Sequence, residues 1–168
     1  MMYTIKNNFD KWVENYQKQL FKTNVYSILL MLFVGLAIFF GSEGGLNNDK
    51  IFGLSGVVII MLFFLYTYIR AGSIFNRTIK EIEINELDVV LKTYEFKLFG
   101  LIKFSKKNVM TEYKGLRFLL NEFPLKENKK APTPTIECYI FVVKEVEYYL
   151  MHKEFEDSLI SDLSTKIK

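Results

Sequence analysis

Charged residues are missing from two long stretches of the chain, 25–40 and 51–69, and are spread through the rest. The second stretch is long enough to cross a bilayer as one helix, which takes about 20 apolar residues. The first is slightly shorter, and Leu20 and Phe21 extend its apolar face. Between them residues 41–50 are polar and Gly-rich. The pattern predicts a transmembrane hairpin over residues 24–72, with spans at about 25–41 and 51–70.

Ahead of the hairpin, Phe9, Trp12, Val13, Tyr16 and Leu20 recur at helical spacing, with Lys11, Asn15, Lys18 and Lys22 elsewhere on the wheel. An amphipathic helix is therefore expected within residues 1–23, capped at Asn7 or Asn8. Its aromatic and lysine pattern suits the headgroup layer, with Trp12 and Tyr16 as interface anchors. Packing of the same stripe on the protein's own cytoplasmic domain is the competing expectation. Tyr66, Tyr68 and Arg70 end the second span as a further set of anchors. Residues 71–73 read as a short break that keeps the next domain close to the membrane.

From Thr78 onward the period changes to two. Strands are expected at about 80–84, 89–96, 101–104, 109–113, 116–120, 136–142 and 146–150, with turns at Asn85–Glu86 and Lys144–Glu145 and a Pro-containing loop over 124–135. Phe155, Leu159, Leu163 and Ile167 then recur every fourth residue. Acids open that stretch and lysines close it, which predicts a helix over 153–167. Residues 73–168 thus form an α+β domain: a curved antiparallel sheet or partial barrel of about seven strands, closed by the C-terminal helix.

Charge sets the orientation. Lys11, Lys18, Lys22, Arg70, Arg77 and Lys80 flank the spans on one side, and Lys50 alone on the other. Both termini are expected in the cytoplasm, with 41–50 outside. Neither span carries an ionisable side chain, which disfavours a channel or transporter. The chain's 22 basic and 19 acidic residues give a net charge of +3. No segment has the basic excess of a dedicated nucleic-acid binder.

Candidate chemistry is sparse. His152 is the only histidine and Cys138 the only cysteine, so neither a multi-histidine metal site nor an intrachain disulfide is available. Cys138 falls on an apolar strand face, where a buried thiol is expected. No phosphate-cradling loop, nucleophile elbow or dinucleotide fingerprint occurs. No enzyme activity, catalytic residue or cofactor is expected. Asn76, Arg77 and Thr78 match a glycosylation sequon on the expected cytoplasmic side, where it would not be used. One cluster stands out: Lys97, Lys103, Lys106, Lys107, Lys114 and Arg117, against Glu112. Lys126, Lys129 and Lys130 add a second. Facing a bilayer, each would gain on the order of 1 kcal/mol from anionic lipid; the alternative is ordinary solubilising charge.

The order of elements over residues 78–167, after a pair of spans, resembles small bacterial membrane proteins that carry a pleckstrin-homology-like domain behind a transmembrane hairpin. The residues that carry the resemblance are the Gly turn and basic loop at 100–108, with Lys103, Lys106 and Lys107, and the last strand running into the closing helix. The resemblance implies a PH-like sandwich or partial barrel and a bacterial inner membrane location. It brings no catalytic motif. A non-enzymatic docking or scaffolding protein is expected, binding a protein partner or anionic headgroups. The alternative is an accessory subunit or assembly factor of a larger membrane complex. Membrane lipids are expected partners and nucleic acid is not, and the small residues of the spans leave room for a homo-oligomer.

Overall fold

The computed structural model describes residues 1–41, 47–98, 102–113, 116, 118–125 and 137–167. The chain is α+β and divides into two compact units. One is Gln17–Arg70; the other joins Met1–Tyr16 to Ala71–Lys168. The long helices α1 (Asn7–Phe40) and α2 (Asn48–Phe75) contribute residues to both.

Within Gln17–Arg70, small residues let the helices approach. A methyl group on Gly35 would meet Val57 and Leu54 at 3.7 and 3.9 Å, and one on Gly53 would meet Ile38 at 3.3 Å. At the turn, Asn47 caps α2 by accepting from the Lys50 amide at 2.9 Å. The Lys50 ammonium, itself buried, donates to Phe39 O at 3.4 Å. It thereby supplies the cation that the last turn of α1 lacks. Both helices are long and apolar enough to cross a membrane. Only 6% and 11% of their apolar windows are buried inside the protein, whereas the core helix of a soluble domain would be mostly covered.

The other unit is built from both ends of the chain. Strand β1 (Met2–Thr4) lies antiparallel to β2 (Ile79–Ile84), which pairs with β3 (Asp88–Thr93), which pairs with β6 (Asn108–Glu112). A two-stranded ribbon of β4 (Phe96–Leu98) and β5 (Ile102–Phe104) lies between β3 and β6 in chain order. A second sheet is the meander β7 (Phe118–Glu122), β8 (Glu137–Val143), β9 (Val146–Leu150). The two sheets meet where the Tyr149 amide donates to Arg77 O at 2.9 Å. A bulge between Ile79 and Glu81 lets Ile79 and Ile82 both point inward while Lys80 turns out.

Several expectations change here. Residues 1–6 are not helical: β1 takes part in the sheet, and α1 then runs past residue 23 without a break. The aromatic stripe lies partly against protein. Phe9 and Val13 are buried, and Trp12 and Tyr16 pack their rings against Phe75 at 6.1 and 5.3 Å. The expected strand 89–96 splits at Tyr94. Its amide donates to Thr78 O and its hydroxyl to Asp10, which turns the chain inward. The closing helix begins later than expected: a 3-10 turn, His152–Glu154, and extended Phe155 precede α3 (Ser158–Ile167). Phe155, Leu159 and Leu163 are nonetheless fully buried, as their spacing requires. Tyr3 donates to Asp162, and Lys6 Nζ to Lys153 O at 3.0 Å, so β1 is clipped to the C-terminal segment.

Candidate basic docking site

The most distinctive feature of the second unit is the way the β4–β5 ribbon is seated. Helix α2 does not break at residues 71–73 but continues to Phe75. Gly72 marks a close approach, since a Cβ there would sit 2.5 Å from Cδ1 and Cε1 of Phe96. The Phe96 ring, almost fully buried, stacks on Phe75 at 6.2 Å and 11° and meets Phe104 of β5 at 6.2 Å. Just beyond the helix, the buried amide of Asn76 donates to Tyr94 O at 3.3 Å and Ser105 O at 2.8 Å, one carbonyl from each side of the ribbon's base. Thr93 closes the same base, its amide donating to Lys107 O and its hydroxyl accepting from the Lys107 amide. The side-chain nitrogen of Asn76, the asparagine of the unused sequon, is buried and engaged twice.

The lysines sit on this framework. Lys97 and Lys103 stand directly opposite each other in the β4–β5 register; their side chains lie outside the described set. Lys106 and Lys107 are exposed at the mouth of the ribbon, immediately before β6. Lys114, Arg117, Lys126, Lys129 and Lys130 lie outside the described residues, so their relation to the ribbon does not enter. Like charges at directly opposed strand positions are destabilising unless a counter-charge is supplied. One acid, Glu95, directly precedes β4, and others lie in the four-stranded sheet. Glu81 and Glu83 flank Lys92 at 3.3 and 3.9 Å, and Asp88 stands opposite Glu112. Strand β6 thus follows two lysines, Lys106 and Lys107, and ends on an acid, Glu112.

Of the expected interface anchors, Trp12 and Tyr16 are half-buried, Tyr68 is 1% exposed, and Tyr66 and Arg70 are exposed. A second cluster escaped sequence reading. Tyr94 donates to Asp10, Asp10 pairs with Lys80 at 3.1 Å, and the Lys80 ammonium lies 5.4 Å from the Tyr94 ring centre. Burial first, and Asp10 second, push the Tyr94 phenol far above its ordinary value. The cluster is a lock between α1 and the sheet. It was invisible in the sequence because its members lie far apart along the chain. Cys138 is fully buried, and burial pushes its thiol up to about 11. Comparison of the chain with family models, with curated proteins and with solved structures gives no match.

Proposed function

We propose that this chain is a non-enzymatic, membrane-anchored docking protein whose PH-like domain engages a protein partner or anionic lipid headgroups through the basic β4–β5 ribbon. The hairpin acts as an anchor in a bacterial inner membrane, with both termini cytoplasmic. One observation carries the reading: the ribbon bearing Lys97 and Lys103 and flanked by exposed Lys106 and Lys107 is fixed to the last turn of α2, the helix that holds the second apolar stretch. A loose basic loop would lose entropy on binding, whereas a seated ribbon has lost it already. Two antiparallel sheets followed by a closing helix support the PH-like plan. The lysine asymmetry around the apolar stretches supports the orientation.

The test is purification of the full chain from its host membrane in mild detergent, intact and as Lys106→Glu/Lys107→Glu, with bound protein and phospholipid measured by mass spectrometry. The proposal expects a co-purifying protein or anionic phospholipid that falls several-fold in the variant. Equal content in both preparations would overturn it.

A further inference from the structure

Among the described residues, strand β6 is the edge of its sheet. Among the described residues its neighbour in the sheet is β3, and no strand lies on its other side. Natural edges are usually blunted by proline, lysine, a bulge or very short length. Asn108–Glu112 has no proline or lysine, and its register with β3 runs through all five residues without a shift. Met110 on this strand is 63% exposed, and Leu87 in the adjacent turn is 83% exposed. With Asp88, Thr111 and Glu112 they line an open groove of about 620 Å³.

The direction of the free backbone groups follows from one contact. Lys107 O accepts from the Thr93 amide, so Lys107 faces β3 with its backbone. Antiparallel strands alternate, so Val109 and Thr111 also face β3, while Asn108, Met110 and Glu112 present their N–H and C=O groups to the open side. Those three positions are symmetric about Met110. Charge along the segment has the complementary asymmetry: exposed Lys106 and Lys107 precede the strand, and Glu112, with Asp88 opposite it, ends the strand.

We infer that β6 is a self-association edge: two copies of this chain pair antiparallel through β6, with a two-fold axis at Met110. In that register Asn108 of one copy stands opposite Glu112 of the other, and Met110 opposite Met110. All three outward-facing residues on each strand then find partners, forming about six backbone hydrogen bonds. Lys106 of each copy becomes the diagonal neighbour of Glu112 in the other, an attractive pairing repeated by symmetry. The exposed Met110 side chains meet on the outer face of one continuous sheet. A parallel pairing would instead bring Glu112 of one copy beside Glu112 of the other.

The test is cysteine crosslinking of the full chain in the membranes of the expressing cells. Directly opposed outward-facing residues have Cα atoms about 5.5 Å apart, within disulfide range. Met110→Cys should form a dimer on mild oxidation. Asn108→Cys and Glu112→Cys should crosslink when co-expressed, and neither should do so alone. The unmodified chain, whose Cys138 is fully buried, should not crosslink. Adding Glu112→Lys to Met110→Cys should lower the yield about fivefold to tenfold, and adding Lys106→Glu as well should restore it. A Met110→Cys chain that stays monomeric would overturn the inference, whether its thiol is free or shielded by another protein. So would equal crosslinking of Asn108→Cys alone, or a charge swap that fails to restore the dimer.

Discussion

Two glycines of one helix should respond to alanine with opposite sign. At Gly56 a new Cβ meets nothing within 4 Å, so Gly56→Ala keeps only the gain in helix propensity, up to about 1 kcal/mol. At Gly72 the same methyl group would lie 2.5 Å from two carbons of the Phe96 ring. Optimal carbon contact is about 3.5–4.0 Å, so the ring must retreat by roughly 1 Å or more. It has little room, being 1% exposed and held between Phe75 and Phe104. Overpacking of this kind costs about 1–3 kcal/mol. Relative to Gly56→Ala, Gly72→Ala should therefore lose about 1–3 kcal/mol, a gap of roughly 2–12 °C in Tm for a chain of this size. Thermal unfolding of the full chain in detergent, followed by circular dichroism, reads the difference. Phe96→Leu should recover part of the loss in a double-mutant cycle, because it removes the ring atoms that collide. If both alanine variants melt together, or Phe96→Leu gives no coupling, the seating of the ribbon on α2 is wrong.

Other outcomes follow from the same contacts. Asn76→Ala removes both donors at the ribbon base and leaves Tyr94 O and Ser105 O short of a partner, which should cost about 1–3 kcal/mol; hydrogen exchange at 96–98 and 102–104 should accelerate more than in β8. His152 is held below the usual histidine range by burial first and by Lys153 second, with Glu137 opposing. The fold favours its neutral form, so its contribution is complete above about pH 6.5 and is lost as pH falls through that value and then through the lower folded pKa. Denaturant midpoints of His152→Gln should vary less between pH 7 and 5 than those of the parent chain. The Cys138 thiol, buried and pushed up to about 11, should resist maleimide at pH 8 until the protein unfolds, whereas rapid labelling of the folded chain would contradict that burial.

What could be read from the sequence was whatever repeats over a long window. The two charge-free stretches and the spacing of Phe155, Leu159 and Leu163 each show many times over, and the structure places them accordingly. Along β8 and β9 strict alternation does not hold: Phe141 is buried and Val142 exposed, and Tyr148, Tyr149 and Leu150 are all buried. Features made by one residue against a distant one were hidden. Strand β1 is three residues long, too short to display a period, and only its register with Glu81, Ile82 and Glu83 makes it a strand. In sequence Gly72 suggests a helix break, because a glycine carries no trace of the ring that fills its missing side chain. Asn76 matched a surface motif yet lies buried, since its partners are backbone carbonyls that no pattern announces. The basic cluster was legible as composition. That Lys97 faces Lys103 across a ribbon, and that the ribbon rests on α2, was not.

The central claim is that the basic ribbon engages an anionic surface or an acidic partner. A spin label on Ser105→Cys tests the lipid arm most directly. This exposed position lies beside Lys106 and leaves every lysine in place. Depth is read by oxygen and nickel-chelate accessibility on the full chain, in nanodiscs of neutral lipid and of neutral lipid with added anionic lipid. Engagement of headgroups predicts a label that moves toward the interface in the anionic discs and moves back at high salt, as screening requires. A label equally exposed to the aqueous chelate in both discs, in a preparation that also carries no co-purified protein, would contradict the account.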